Sequence, residues 1–217
     1  MLKIEIVSDF VCPWCFIGLR RLDLAIEAIR RELPDFEYSR QWRPFFLNPD
    51  TPPEGEPYLP FLEAKFGGRA AVDALFKRVQ AAGTPYGIDY AFEKITLRAN
   101  TLQAHRLIHW AQRQGDAGRL VERLFIAQFQ RGEYVGNRTL LANIAGECGY
   151  DPEAAADFLN SDEASEIVRE QEHESRRWGV KAVPSFVVDR RFLVAGAEDP
   201  QLLAKAVFAA LNHEPGR

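Results

Sequence analysis

Patterns typical of β-strands occur only near the two ends of this sequence, and a long helical stretch separates them. Apolar and polar residues alternate at residues 2–7, and a second strand is predicted at about residues 36–46. Between them, apolar residues recur at spacings of three and four until Pro34 ends the run. The order β-α-β predicts two parallel strands joined by a right-handed crossover helix.

The chain returns to strands near its C-terminus. Strands are predicted at residues 185–188 and 192–194, with a short hairpin link between them, and Asp199-Pro200 opens a closing helix. The intervening sequence carries mostly helical patterns, and helices are predicted at about residues 58–82, 101–114, 118–130, 139–148, 152–159 and 162–178.

Together these patterns predict an α/β, thioredoxin-like fold of the order β-α-β … β-β-α, interrupted by a large all-α insertion domain. We expect residues 1–47 to form the N-terminal part of the thioredoxin-like domain and residues 179–217 to form its C-terminal part. We expect residues 48–178 to form the helical insertion domain.

The composition narrows the class of protein. The 217 residues are 47% hydrophobic, which is enough for a core, and three cysteines are too few for a disulfide framework. The N-terminus lacks the apolar block of a signal peptide, so we expect a cytoplasmic protein. A net charge of −4 argues against nucleic-acid binding, and no apolar stretch approaches about eighteen residues, so no membrane span is expected.

The stretch VSDFVCPWCFIG places Cys12 and Cys15 where the first strand gives way to a helix. A sulfur at the first turn of a helix faces unpaired N–H groups and the positive end of the helix dipole, which favour thiolate. Pro13 suits the first helical position because it has no N–H to lose. We therefore expect an exposed attacking thiolate at Cys12 and a shielded thiol at Cys15 that resolves the mixed disulfide.

Pro13 and Trp14 lie between the two cysteines and are expected to tune the couple. An aromatic side chain supplies no cation to the thiolate, whereas a histidine could. Trp14 therefore predicts a milder oxidant than an enzyme with histidine at this position.

Two other interpretations of the cysteine pair stay open: half of a zinc site, or inert thiols. Zinc would need two more ligands, and His105 and His109 share a helix face at a spacing of four. The plainer interpretation is that His105 packs or bonds locally and that His109 lies on an amphipathic face beside Trp110, so no metal is expected. Cys148 lies at a helix end and is interpreted as a small buried residue.

Pro184, in VKAVPSFVV, enters an apolar strand and cannot donate to a sheet ladder, so it must begin the strand or lie at an edge. If the Val183-Pro184 bond is cis, its loop presents the Val183 N–H and C=O groups beside Cys12, where an extended substrate could pair. The alternative is an ordinary trans proline, and the local sequence does not decide between them.

These motifs resemble the DsbA-like thiol oxidoreductases, in particular their cytosolic FrnE-like branch. The resemblance rests on Cys-Pro-Trp-Cys after VSDFV, on Val183-Pro184 before the last hairpin, and on the blocks WRPFFLNPD, NTLQAHRLIHWA and VAGAEDP. It covers essentially the whole chain. It implies that Cys12 is the nucleophile, Cys15 the resolving thiol and Pro184 the cis proline of the substrate loop.

The resemblance also suggests residues that bind substrate, and Asp199 matches a position that helps hold glutathione in related enzymes. The alternative for Asp199 is that it only caps a helix. Asn48 and Asn100 could line a cleft between the domains, and the alternative for both is a role in a turn or a helix cap. The expected substrate-binding residues are Val183, Asn48, Asn100, His105 and Asp199.

The predicted function is a thiol:disulfide oxidoreductase or isomerase acting on disulfides or thiols of proteins or small molecules. No metal or organic cofactor is implied, and glutathione, a candidate co-substrate, or a thioredoxin system would recycle the couple. The alternative is a glutathione-dependent transferase or isomerase of the kappa or 2-hydroxychromene-2-carboxylate type, and a third class is a zinc-stabilised module. One set of apolar residues belongs either to the core or to a surface that binds a peptide or, in a homodimer, a second copy of the chain. These residues are Tyr58, Leu59, Phe61, Leu62 and Phe66.

Overall fold

The computed structural model describes residues 1–212 of the chain. By their internal contacts these residues form two compact units. The first unit combines Met1–Phe45 with the described part of Gln171–Arg217, and the second is Phe46–Glu170. The second boundary between these units, between residues 170 and 171, falls inside a helix. The sequence instead predicts boundaries after residues 47 and 178, where predicted elements end.

The described residues form six strands and nine α-helices. The strands are β1 (Leu2–Ser8), β2 (Tyr38–Pro44), β3 (Glu56–Pro57), β4 (Leu97–Arg98), β5 (Ser185–Val188) and β6 (Phe192–Ala195). The helices are α1 (Pro13–Glu32), α2 (Tyr58–Phe66), α3 (Arg69–Gly83), α4 (Leu102–Gln112), α5 (Gly118–Ile126), α6 (Arg138–Glu147), α7 (Pro152–Asn160), α8 (Ser165–Arg177) and α9 (Pro200–Asn212).

The first unit is built on a four-stranded sheet with the order β2-β1-β5-β6. β1 runs parallel to β2, with Ile4 opposite Arg40, and antiparallel to β5, with Ile6 opposite Phe186. β5 and β6 form an antiparallel hairpin. The parallel pair joined by α1 and the closing hairpin confirm the predicted thioredoxin-like order.

Helix α1 begins at Pro13 and covers one face of the sheet. Its apolar positions, among them Leu22, Ile26 and Ile29, are buried, while Arg30 and Arg31 lie in the last turn, where cations offset the helix dipole. α9 packs beside α1. α1 lies against the face that carries Phe186 of β5 and its partner Ile6 of β1, and α9 contacts β5 and β6.

The opposite face of the sheet has its own apolar cluster. It contains Val7, Phe45, Val180 and Val187, with Trp178 and Val183 packed against it. Because side chains alternate along a strand, Val7 points away from Ile6 and its helical layer. Both faces of the sheet are therefore buried around the segment that enters α1.

The second unit is mostly helical, as predicted, with two differences. The helix expected over residues 58–82 is broken at Gly67 and Gly68, whose φ angles of 89° and 109° cannot continue a right-handed helix. The expected all-α insertion also contains a short antiparallel ladder in which Glu56 pairs with Arg98. Of the apolar residues near α2, Leu62 is buried and Phe66 is exposed.

Candidate active site

The two cysteines lie at the start of α1. Cys12 precedes the first helical residue with extended φ and ψ angles of −99° and 107°, and Pro13 follows it in the first turn. The Cys12 N–H donates to the carbonyl of Asp9 at 3.0 Å, and the Cys15 N–H donates to the carbonyl of Cys12 at 3.0 Å. The sulfur of Cys12 is thus carried at the helix head, with Cys15 one turn further on.

The loop before β5 lies against this helix start. The Val183–Pro184 peptide bond is cis, as the resemblance implies. The thiol of Cys12 is 3.6 Å from the Val183 carbonyl oxygen, to which it donates. Two hydrogen bonds hold the loop: Ser185 Oγ donates to the Ala182 carbonyl at 2.7 Å, and Gly196 N–H donates to the Pro184 carbonyl at 2.7 Å.

Cys12 is less accessible than the sequence suggested. The residue is 5% exposed, whereas an attacking thiolate was expected to be exposed. The Val183–Pro184 loop contributes to this burial, since its Val183 carbonyl lies 3.6 Å from the sulfur although it is 171 residues away in the chain. Local sequence at a helix start cannot reveal a cover supplied by a distant segment.

Cys15 is the more deeply buried thiol, with 2% exposure. Burial raises the pKa of the Cys15 thiol well above its usual value, and the neighbouring Cys12 sulfur raises it further. Burial and the neighbouring sulfur thus both favour the protonated thiol at Cys15, which is shielded from solvent. This agrees with the shielded position predicted from the sequence.

Asp9 is a residue of this site that the sequence analysis did not single out. It is 1% exposed, and its carbonyl accepts the Cys12 N–H. Its backbone N–H lowers the pKa of Cys15 by hydrogen bonding, while its carboxyl charge raises it. The signal available in the sequence was an acidic residue three positions before the cysteine at which the helix starts.

Pro13 and Trp14, the predicted tuning residues, are both partly buried within the first turn of α1. Their effect on the couple stays a prediction.

Three predicted substrate-binding residues belong to the second unit. Asn100 donates to the Thr51 carbonyl at 2.6 Å and accepts from the Leu102 N–H at 3.1 Å, which is a loop-fixing and helix-starting role. The Asn48 side chain accepts from Lys65 at 3.2 Å. His105 is buried, and its ring meets the ring of Phe46 edge-on at 5.4 Å.

Asp199 lies in the first unit and caps α9. Its carboxylate accepts the Gln201 N–H at 2.8 Å, and its carbonyl accepts the Leu202 N–H at 2.9 Å. Arg21 of α1 donates to the carbonyl of Ala197, two residues before Asp199. The cap role considered for Asp199 is thus observed, and its role toward glutathione stays a prediction.

The residues considered for zinc are divided between the two units, with Cys12 and Cys15 in one and His105 and His109 in the other. Within residues 1–212, no group of three or more His, Cys, Asp and Glu side chains could hold a metal ion. Cys148 is partly exposed rather than buried, because it ends α6, and its thiol donates to the Arg119 carbonyl at 3.8 Å.

The chain matches the model of a known protein family. The family model of the DSBA-like thioredoxin domain matches residues 3–208. The chain belongs to this DSBA-like thioredoxin domain family. It is therefore a member of the DsbA-like thiol oxidoreductases, as the sequence motifs suggested.

Solved structures show the same fold. A probable DsbA oxidoreductase from Streptomyces coelicolor is 27% identical, with a TM-score of 0.90 over 100% of this chain and 93% of that chain. The cytosolic disulfide reductase DsbM from Pseudomonas aeruginosa, solved with GSH, is 16% identical, with a TM-score of 0.66 over 96% and 98% of the two chains. A 2-hydroxychromene-2-carboxylate isomerase is 18% identical, with a TM-score of 0.64 over 96% and 95%.

Across the part of the chain that the structure describes, no helix is both long and apolar enough to cross a membrane.

Proposed function

We propose that this DsbA-like protein is a cytoplasmic thiol:disulfide oxidoreductase or isomerase that uses Cys12 and Cys15 as its redox couple. The observation that carries the proposal is the position of the Cys12 sulfur, at the head of α1 and 3.6 Å from the Val183 carbonyl. A nucleophilic sulfur, a second thiol one turn away and a backbone edge for the substrate then meet at one place.

In the reductive direction, the Cys12 thiolate attacks one sulfur of a substrate disulfide. A Cys12–substrate bond forms, the substrate disulfide breaks, and the first substrate sulfur leaves as a thiolate that takes up a proton. The Cys15 thiolate then attacks the Cys12 sulfur. A Cys12–Cys15 disulfide forms, and the second substrate sulfur leaves, so the substrate gains the two electrons that the couple loses.

The environment of Cys15 explains the order of these steps. Burial and the neighbouring Cys12 sulfur both raise the pKa of Cys15, so in the reduced protein it holds its proton. Once Cys12 is bound to substrate, its negative charge is gone and one of these two causes is removed. Cys15 then loses its proton more easily, at the stage when it must attack.

The Val183–Pro184 loop would align the substrate. Val183 is partly buried in the cluster on the sheet face opposite α1, and its carbonyl is aimed at the reacting sulfur. An extended peptide could pair with the backbone of Val183 as an added strand, which fixes direction without reading side chains. Attack needs the sulfurs to be aligned, and such pairing supplies that alignment.

A reductant must restore the Cys12–Cys15 dithiol after each turnover. Two glutathione molecules, or the dithiol of a thioredoxin system, supply the two electrons required. Glutathione is supported by the solved complex of the fold neighbour DsbM with GSH. The couple itself needs no metal or organic cofactor.

A second candidate function rests on the fold shared with the 2-hydroxychromene-2-carboxylate isomerase. In that case bound glutathione would supply the reacting thiol for isomerisation or transfer on a small aromatic substrate. Cys15 would then be dispensable, which separates the two functions.

The test is a redox titration in glutathione buffers, with the thiol state of Cys12 and Cys15 scored by alkylation and mass. The Cys15→Ser variant is tested in parallel for accumulation of mixed disulfides with a disulfide-bonded peptide. Cys148→Ser is the matched control, because it removes a thiol in the other unit. We expect a reversible two-electron step that Cys12→Ser abolishes and Cys148→Ser preserves, with trapped mixed disulfide only in Cys15→Ser.

Two results would contradict the proposal. The pair could stay reduced in every buffer, or Cys15→Ser could keep full turnover of the peptide disulfide. Turnover of an aromatic substrate that needs glutathione but not Cys15 would support the isomerase or transferase instead.

A further inference from the structure

A glycine lies inside α1, one turn after Cys15. Gly18 is buried and helical, with apolar neighbours Ile17 and Leu19. Glycine within a helix costs about 1 kcal/mol relative to alanine, because the unfolded chain loses more freedom. A buried helical glycine therefore indicates that a side chain is excluded at this position.

The excluding group is the substrate loop. A Cβ atom placed on Gly18 would lie 2.7 Å from Cγ and 3.2 Å from Cβ of Pro184, and 3.2 Å from Cζ of Phe186. Real Cβ atoms essentially never approach a neighbour closer than 3.0 Å. Any side chain at position 18 must therefore displace either α1 or Pro184.

Pro184 has little freedom to yield. Its carbonyl accepts the Gly196 N–H at 2.7 Å within the β5–β6 hairpin, and the following Ser185 is buried and bonded to Ala182. The ring of Pro184 is thus held between the hairpin and α1. Its distance from α1 also sets the distance between Val183 and Cys12, because Val183 is joined directly to it.

We propose that Gly18 is a positioning residue for the substrate loop: its missing side chain lets Pro184 lie against α1, which holds the Val183 carbonyl beside the Cys12 sulfur. This inference rests on the proposed oxidoreductase function and deepens it. The two cysteines belong to the first turn of α1 itself, so their mutual geometry does not depend on the loop. Gly18 therefore acts on substrate alignment rather than on the dithiol.

The test compares Gly18→Ala with the wild type on two substrates. One is a disulfide-bonded peptide long enough to pair with Val183, and the other is 2-hydroxyethyl disulfide, which has no backbone to pair. For the peptide, kcat/KM should fall about tenfold or more, mainly through KM, because a wider spacing between α1 and the loop misplaces its disulfide. For the small disulfide, kcat/KM should fall less than about threefold, because it does not use the loop.

A crystal structure of Gly18→Ala gives a readout that does not depend on turnover. The Val183 carbonyl oxygen should lie farther from the Cys12 sulfur than the 3.6 Å of the wild type. An unchanged distance would overturn the inference.

Ala25→Val is the matched control for overpacking of α1. Ala25 is fully buried in the same helix, two turns after Gly18, so an added group there strains the core without meeting Pro184. We expect lower stability but no difference between the two substrates. If Gly18→Ala does not fold, it is replaced by the double variant Gly18→Ala/Phe186→Leu, with Phe186→Leu alone as its reference. The leucine removes the contact between the new Cβ atom and the ring of Phe186 but keeps the contact with Pro184.

The outcomes separate the inference from the proposed function. A wild type that reduces neither disulfide overturns the function. A wild type that reduces only the small disulfide overturns the aligning role of the loop, and with it the role of Gly18. Equal losses on both substrates in Gly18→Ala, or losses matched by Ala25→Val, overturn the inference while leaving the function in place.

Discussion

The guanidinium group of Arg43 binds the carboxylate of Glu5 through two hydrogen bonds, from Nη2 at 2.7 Å and Nε at 3.0 Å. Glu5 lies on the central strand of the sheet and is 1% exposed. Arg43 also bonds Glu174 at 2.8 Å and lies over the ring of Trp178. A charged pair thus lies on the sheet face opposite α1, next to Trp178 of the apolar cluster there.

The first prediction is that Glu5→Gln destabilises the protein. Losing one member of a buried pair costs about 3–5 kcal/mol, and we expect the lower end, ~3 kcal/mol, because Arg43 keeps Glu174. Urea unfolding at pH 7 measures the change. Glu27→Gln is the control: its pair with Arg31 is exposed and 3.9 Å long, so it should cost less than about 0.5 kcal/mol.

The second prediction concerns pH. Burial alone would raise the pKa of Glu5, but the hydrogen bonds and charge of Arg43, helped by Lys3 and Arg190, lower it below the usual value. The pair's stabilisation is therefore complete above about pH 4.3, the ordinary value for Glu, and is lost as pH falls through the lowered pKa. Unfolding free energies of the wild type should fall more steeply in acid than those of Glu5→Gln. Parallel curves would contradict the assignment.

The third prediction concerns Arg106, which is 0% exposed in the second unit. Its guanidinium donates to four backbone carbonyls that follow or end α7, those of Phe158, Leu159, Ser161 and Glu163. Lysine cannot reproduce this planar set of donors, so Arg106→Lys should lower the unfolding free energy by about 2–3 kcal/mol. Arg113→Lys alters only an exposed pair with Glu163 and should change it by less than about 0.5 kcal/mol. Equal effects would show that the carbonyl contacts contribute little.

The fourth prediction concerns the residue between Pro13 and Cys15. A histidinium at position 14 stabilises the Cys12 thiolate and with it the reduced couple. Trp14→His should therefore raise the reduction potential by about 30 mV or more, measured against glutathione. Trp14→Phe keeps an uncharged ring and should leave the potential within about 10 mV. A potential that moves equally in both variants would assign the effect to packing instead of charge.

The fifth prediction tests the cap at the start of α9. Asp199→Ala removes the acceptor of the Gln201 N–H and should cost about 1 kcal/mol, whereas Asp199→Asn keeps an acceptor and should cost less. Calorimetric titration with reduced glutathione separates the second role. A glutathione affinity that falls in Asp199→Ala by more than the stability loss accounts for would add ligand binding to the cap.

The elements that sequence predicted well are those whose signals are local. β1 alternates, α1 has a proline at its start and a regular apolar stripe, and the β5–β6 hairpin has its turn residues in place. Asp189 and Arg190, in that turn, both have φ near 55°, at 52° and 56°. Such features depend on neighbours in the chain, so the pattern carries them.

The features that sequence did not predict depend on distant partners. The β3–β4 ladder is only two residues long in each strand, too short for any periodicity. Arg106 looks like a surface residue because the carbonyls that satisfy it come from 52 to 57 residues later. The helical glycine at position 18 was visible in the sequence, but its reason, the ring of Pro184, was not.

The placement of β5 has a consequence for synthesis on the ribosome. β1 can pair with β2 early, but its other edge must wait for β5, since 171 residues separate Cys12 from Val183. At about 5–20 residues per second, that interval lasts ~10–30 s. During it Cys12 and Cys15 are present in the growing chain without the loop that later covers the attacking sulfur. In the nascent chain the surrounding redox buffer therefore determines which molecules react with these two thiols, because the loop that contacts Cys12 has not yet been synthesised.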